Sequence, residues 1–227
     1  MANIKPEAEW QAFRLKVLHA AAKLFLEKGY SSATTREIAK AAEVNVSTMN
    51  RAMGSKENIL CALVTYVLDG QFETAGKMLS GIPHDKILFY AAETTLQLYM
   101  AEADESIRNL YSAAYSMPNS AGIIQRTVTE KLMDIFGDHL PGLSRQDFYE
   151  LEIASGGIMR SFMANPCDEG MTMDRKVERF LQTTFRVYMV PEEKIREAVT
   201  FIKQFDYPAI AKQTIDSMLN YLEEKAI

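Results

Sequence analysis

The sequence predicts an all-α protein: a small N-terminal three-helix domain containing a helix-turn-helix, followed by a larger helical bundle. Apolar residues recur at three- and four-residue spacing along nearly the whole chain, and no stretch alternates as a half-buried strand would. Two segments near the N-terminus, "REIAKAA" and "VSTMNRA", are each only about two helical turns long and are separated by three residues. Glycines and prolines then divide the remainder into pieces of helix length.

The first segment runs from about Glu7 to Lys28, where Phe13, Val17, Leu18, Ala21, Leu24 and Phe25 form one apolar stripe. Gly29 ends it. Thr34 or Thr35 caps the next helix, with Glu37 or Ile38 in its first turn. Glu43 to Asn45 make a break, and Val46 to Ala52 form the second short helix. After the polar stop at Gly54, Ser55 caps a long helix that reaches about Leu79, with Lys56 and Glu57 in its first turn. Gly81-Ile82-Pro83 marks a boundary. Seven further helical segments follow, punctuated by Pro118, Pro141-Gly142, Pro166, Pro191 and Pro208, for eleven helices in all. Residues 1–53 are read as the head and residues 54–227 as the body.

Composition narrows the function. The chain is 48% hydrophobic and 24% charged, as a globular protein is. It has no run of about 18 apolar residues, and "MANIKPEAEW" lacks the apolar core of a signal peptide, so a cytoplasmic protein with no membrane partner is expected. Cys61 and Cys167 lie far apart, which argues against a disulfide framework or a zinc site. His84 and His139 are isolated, and no metal or cofactor is expected. There is no phosphate-binding loop, no glycine-rich dinucleotide turn, no HExxH and no GxSxG, and Ser155-Gly156-Gly157 lies inside a helical run. No catalytic residue is therefore assigned, and an enzyme is not expected. Net charge is −5, but residues 1–60 hold nine Lys or Arg against six Asp or Glu, giving +3, which leaves −8 for the rest. A mildly basic front on an acidic body fits nucleic-acid binding confined to that front.

Two-turn helices do not stabilise themselves in water, so these two must pack on the first helix. Ile38, Ala39, Ala42, Val44 and Met49 suit that packing. The second short helix then has a polar face left over: Ser47, Thr48, Asn50 and Arg51. This is the form of a helix-turn-helix, whose second helix lies in the DNA major groove. Arg and Asn can read base edges, and Ser and Thr can donate to phosphates.

The marks "AAKLFLEKGY", "TTREIAKAAEV" and "SKENIL" occur in order within residues 17–60. This stretch resembles the N-terminal domain of tetracycline-repressor (TetR) family regulators. The resemblance implies a DNA-binding head, a ligand-binding and dimerisation body, and a homodimer on a palindromic double-stranded operator. It places Thr34 and Thr35 at the start of the second helix, near the DNA backbone, and Arg36 beside them is a further DNA-binding candidate. It makes Asn45, Val46, Ser47, Thr48, Asn50 and Arg51 the recognition-helix set, and gives Lys56 a phosphate contact. The chain departs from the family pattern at Glu43, where Gly is usual, at Asn45 in place of a Ser cap, and at Ser47 in place of Gly. Asn50 stands where a phosphate-binding Tyr is typical, and Ala52-Met53 where Tyr or His and then Phe are typical. The missing aromatic leaves a second reading open, an interaction protein or sensor of this fold with weakened DNA binding.

In the body, Ala154, Gly156 and Gly157 are small enough for another helix to approach closely, and Phe180 and Leu181 lie on the stripe of the following helix. These five occupy the family's usual place for a four-helix dimer interface. The alternative is that the glycines ease packing within one subunit. Phe89, Gln97, Tyr99, Arg108, Tyr111, Tyr115 and Met117 could line a pocket for an unidentified small-molecule effector, or could simply be core. Glu102, Asp104 and Glu105 read as a solvated acidic turn. The resulting expectation is a ligand-responsive transcriptional regulator, repression being the family's usual mode.

Overall fold

The computed structural model describes residues 7–226. The first six residues, on which much of the signal-peptide reading falls, lie outside the described residues. Among the described residues there are eleven helices and no strand. They are α1 (Glu7–Lys28), α2 (Thr35–Ala41), α3 (Val46–Met53), α4 (Lys56–Met78), α5 (Lys86–Glu102) and α6 (Glu105–Ser116). Then come α7 (Pro118–Phe136), α8 (Arg145–Ala164), α9 (Met173–Val187), α10 (Glu192–Ile202) and α11 (Tyr207–Ala226). Pro118 opens α7 instead of interrupting the chain, because a proline in the first turn forfeits only an N–H that has no helical partner.

Two apolar cores hold these helices. The head core gathers Val17, Ala21 and Phe25 of α1, Ile38 and Ala39 of α2, and Met49 and Met53 of α3. It continues through Ile59, Leu60, Leu63, Val64 and Leu68 of α4 and takes in Ala114, Ile124 and Leu222. A division at residue 53 is therefore a position in the chain and not a break in packing. The body core surrounds α5, which is buried on every side from Tyr90 to Leu98. Such all-round burial belongs to a central helix and not an amphipathic surface one. The rings of Phe136 and Tyr188 stack beside it with centroids 4.3 Å apart.

The acidic turn is not simply solvated. Glu102 accepts from the fully buried ammonium of Lys176 at 2.6 Å, from Arg108 at 3.2 Å and from the backbone N–H of Cys167 at 2.9 Å. Burial pushes the Glu102 carboxyl up, but Lys176, the Cys167 N–H and Arg108 together hold it below its ordinary value. This cluster ties α5, α6, α9 and the loop before α9 together.

Candidate functional site

Local hydrogen bonds fix the helix-turn-helix. Thr34 caps α2: its hydroxyl accepts from the Glu37 N–H at 3.3 Å and donates to the Glu37 carboxylate at 2.7 Å, while the Thr34 N–H donates to the same carboxylate at 2.9 Å. This reciprocal pair is a capping box. Lys28 also pairs with Glu37, and the hydrogen bonds from Lys28 and then Thr34 hold its carboxyl down at about 2. After α2 the chain turns at Glu43, whose φ is +52°. The Val44 N–H donates to the Ala39 carbonyl at 2.9 Å and the Glu43 N–H to the Lys40 carbonyl at 3.1 Å, the two bonds of a Schellman turn. Glu43 thus occupies the left-handed position that usually takes glycine. Asn45 caps α3, accepting from the Ser47 N–H at 2.8 Å and the Ser47 hydroxyl at 2.7 Å. Gly54 ends α3 at φ +76°, and the Asn58 side chain fills the place a β-carbon would take.

Met49 and Met53 bury one side of α3, which leaves Ser47, Asn50 and Arg51 exposed, with Val46 and Thr48 half-buried. Arg36 is exposed on α2 beside the half-buried Thr35. Ser47, Asn50 and Arg51, at i, i+3 and i+4, therefore share one outward face of α3. Lys56, expected at a phosphate, is engaged within the chain. Its ammonium donates to the carbonyls of Tyr30 at 2.8 Å and Ala33 at 2.9 Å, with Ser31 at 3.4 Å, and lies 4.4 Å from the centre of the Tyr30 ring. Its N–H groups are directed at the chain's own backbone, and it clasps the loop between α1 and α2.

In the body, a cavity of about 110 Å³ opens among α1, α4, α5, α6, α7 and α11. Gln97, Tyr111 and Tyr115 line it, together with Ala22, Leu63, Met100, Ile107 and Leu222. Gln97 donates to the Tyr115 hydroxyl at 3.0 Å, and Gln71 donates to that of Tyr111. The other predicted pocket residues lie elsewhere. Phe89 stacks on Phe72, Tyr99 stacks on Tyr207, Arg108 is spent on Glu102, and Met117 packs against the head core. Periodicity gave each a buried face without saying what that face meets.

The interface set divides in the same way. Ala154 is exposed and Gly157 half-exposed on the outer side of α8, beside Ile153, which is 49% exposed. Phe180 and Leu181 are both 0% exposed and pack in the body core, so they cannot touch a second copy. A β-carbon on Gly156 would meet the Glu152 carboxylate at 2.7 Å, a contact within the subunit. Sequence reasoning missed Glu93 and Glu152, two acids buried in the body. The available signal was a charged residue in the otherwise uncharged run "ILFYAAETTLQLYMA". Among the described residues no cluster of His, Cys, Asp or Glu is placed to hold a metal ion, and no helix is long and apolar enough to cross a membrane.

Comparison with known proteins agrees with this head. The family described as "Bacterial regulatory proteins, tetR family" matches residues 17–63, the span from α1 into α4. Residues 17–63 thus carry a TetR-family DNA-binding domain. Among curated proteins, the chain is 32% identical over 71 residues to the HTH-type transcriptional regulator HbdR of Aromatoleum sp. (strain CIB). That match spans 31% of each chain, so it concerns less than a third of the relative's length. Two solved structures share the TetR fold over most of their length. One is RolR in complex with resorcinol, with a TM-score of 0.65 and 14% identity over 86% of this chain and 96% of that one. The other is a TetR-family regulator from Pectobacterium atrosepticum, with a TM-score of 0.56 and 16% identity over 83% and 97%.

Proposed function

We propose that this TetR-family chain is a homodimeric, sequence-specific DNA-binding repressor whose hold on a palindromic operator is released by a small molecule in the body cavity. The observation that carries this reading is the face of α3, where Ser47, Asn50 and Arg51 stand exposed on a helix anchored by Met49 and Met53. The outer face of α8, with Ile153, Ala154 and Gly157, offers a surface where a second copy would bring two such helices to successive half-sites.

The cavity supports the sensing half. Leu60, Leu63, Val64 and Leu68 line it and also belong to the head core, so whatever fills the cavity presses on the helix that carries the head. A ligand that favours one cavity shape thereby shifts the population of head positions. RolR, solved with resorcinol, supports a small effector for a body of this fold. A second reading, a sensor with weakened DNA binding, is favoured by the engagement of Lys56 with backbone carbonyls and by Asn50 in place of an aromatic. Selection of bound sequences from random duplex DNA with purified protein separates the two. A palindromic enriched site whose affinity falls steeply with salt supports the repressor. No enrichment from a folded dimer at low salt supports the second reading.

A further inference from the structure

The apolar cavity has a polar neighbour. The Gln97–Tyr115 hydrogen bond lies in the wall of both spaces, and beyond it is a smaller pocket of about 30 Å³. Glu93 from α5 and Glu152 from α8 line this pocket and are 4% and 3% exposed. Glu152 accepts from the Ser155 hydroxyl at 3.0 Å, and that hydroxyl is 2.6 Å from the Tyr188 hydroxyl. Glu93 has no hydrogen-bond or ion-pair partner among the described residues. Space for the Glu152 carboxylate depends on the missing side chain of Gly156.

Two buried acids without a cation between them are costly, and apolar residues of the same size would cost less. Among the described residues neither carboxyl has an ion-pair partner, although Arg160 of α8 lines a neighbouring pocket that Glu152 also borders. From α4 come Leu68 and Phe72, from α5 Tyr90, and from α6 Tyr115. Lys131 of α7 also lines the pocket, but its ammonium sits 5.0 Å from the centre of the Phe72 ring. Tyr188, beyond α9, presents a phenol.

We propose that Glu93 and Glu152 form the head-group subsite of the effector cavity and select a small amphipathic amine, with its ammonium between the two carboxyl groups and its apolar part in the larger cavity. This rests on the reading of that cavity as the effector site. The sizes fit. A space of 30 Å³ takes a group as small as a water or an ammonium, and 110 Å³ falls short of the roughly 150 Å³ that accommodates benzene. The apolar part is therefore a short alkyl chain, or a ring after slight dilation. Head and tail join past Gln97 and Tyr115, whose hydrogen bond the ligand spans or opens.

Burial pushes both carboxyls up to about 8, so at neutral pH the pair holds protons. A bound ammonium favours the ionised form. Binding then releases a proton, and affinity rises as pH approaches that value. The test is calorimetry on the full chain without DNA, using straight-chain amines from propylamine to octylamine, benzylamine and the matching alcohols. The best amine should bind at least about tenfold more tightly than its alcohol, and tighten by up to about tenfold per pH unit between about pH 6 and 8. Glu93→Gln and Glu152→Gln should each lose that preference while melting close to the parent at neutral pH, since an amide matches the neutral carboxyl it replaces in size and hydrogen-bonding capacity. The proposal is overturned if no amine in the series binds, if alcohols bind as well as amines, or if both Gln variants keep the preference. Operator binding is measured separately. Loss of amine binding with DNA binding intact refutes this inference alone, and the converse refutes the regulator reading alone.

Discussion

Glu43 gives a direct test of the helix-turn-helix geometry. The residue sits at φ +52° in the Schellman turn between α2 and α3, with a left-handed backbone that costs a non-glycine residue about 1–2 kcal/mol. Glycine would remove that cost and lose about 0.5–1 kcal/mol through its greater unfolded-state freedom. Taking the middle of each range, the net advantage of glycine over alanine at this position is about 0.5–1 kcal/mol. Alanine is the proper reference, because both substitutions remove the Lys16–Glu43 pair. That pair spans 3.3 Å between side chains that are 36% and 81% exposed, and contributes about 0–1 kcal/mol. At roughly 2–4 °C per kcal/mol for a chain of this size, Glu43→Gly should melt about 1–4 °C above Glu43→Ala. High salt should leave the difference unchanged, because it screens only the ion pair. Scanning calorimetry on both variants reads it. Equal melting temperatures, or a lower one for the glycine variant, would show that residue 43 is not held in the left-handed region and that α3 leaves its turn by another route.

Three other perturbations probe separate parts of the account. Glu37 carries a carboxyl held at about 2, below its ordinary value, so its contribution to stability is present above about pH 4.5 and fades as pH falls toward 2. Thermal melts of Glu37→Gln against the parent should show a gap at pH 7 that closes over that range. Met49→Ala, at a fully buried position under α3, should cost about 2–5 kcal/mol, seen as a drop in melting temperature of roughly 4–20 °C and a parallel loss of DNA binding. Ala154→Arg, on the outer face of α8, should leave the helical circular-dichroism spectrum intact while light scattering reports monomers; a persistent dimer would place the interface elsewhere.

Much of the head was legible in the sequence because its signals are local. Thr34 with Glu37, Asn45, and Ser55 announce helix starts through hydrogen bonds that span three residues or fewer, and α1 to α4 begin and end within a residue or so of the expected positions. The body was less legible because its questions concern which surface meets which. Phe180 and Leu181 form an apolar stripe that would look the same under a second copy or under the chain's own helices. The cavity draws walls from Ala22 through Leu222, a span that no local pattern connects. The charge of Lys56 is plain from sequence, but the carbonyls of Tyr30 and Ala33 that occupy it come from a loop more than twenty residues away. Glu93 was hidden by its surroundings, since helical periodicity flags apolar faces and passes over a single acid among them.

The central claim is that the exposed face of α3 reads DNA. The most direct measurement is the affinity of the parent and of Arg51→Ala for the selected duplex, taken across a series of salt concentrations, with dimer state checked in parallel. Arg51 is exposed and outside the head core, so the variant should fold and dimerise as the parent does. It should bind about tenfold more weakly or worse, with relaxed preference at one base position if Arg51 contacts a base, or a salt slope lower by about one if it contacts a phosphate. An unchanged affinity and unchanged slope, from a protein that still selects a sequence, would mean that another surface reads the DNA.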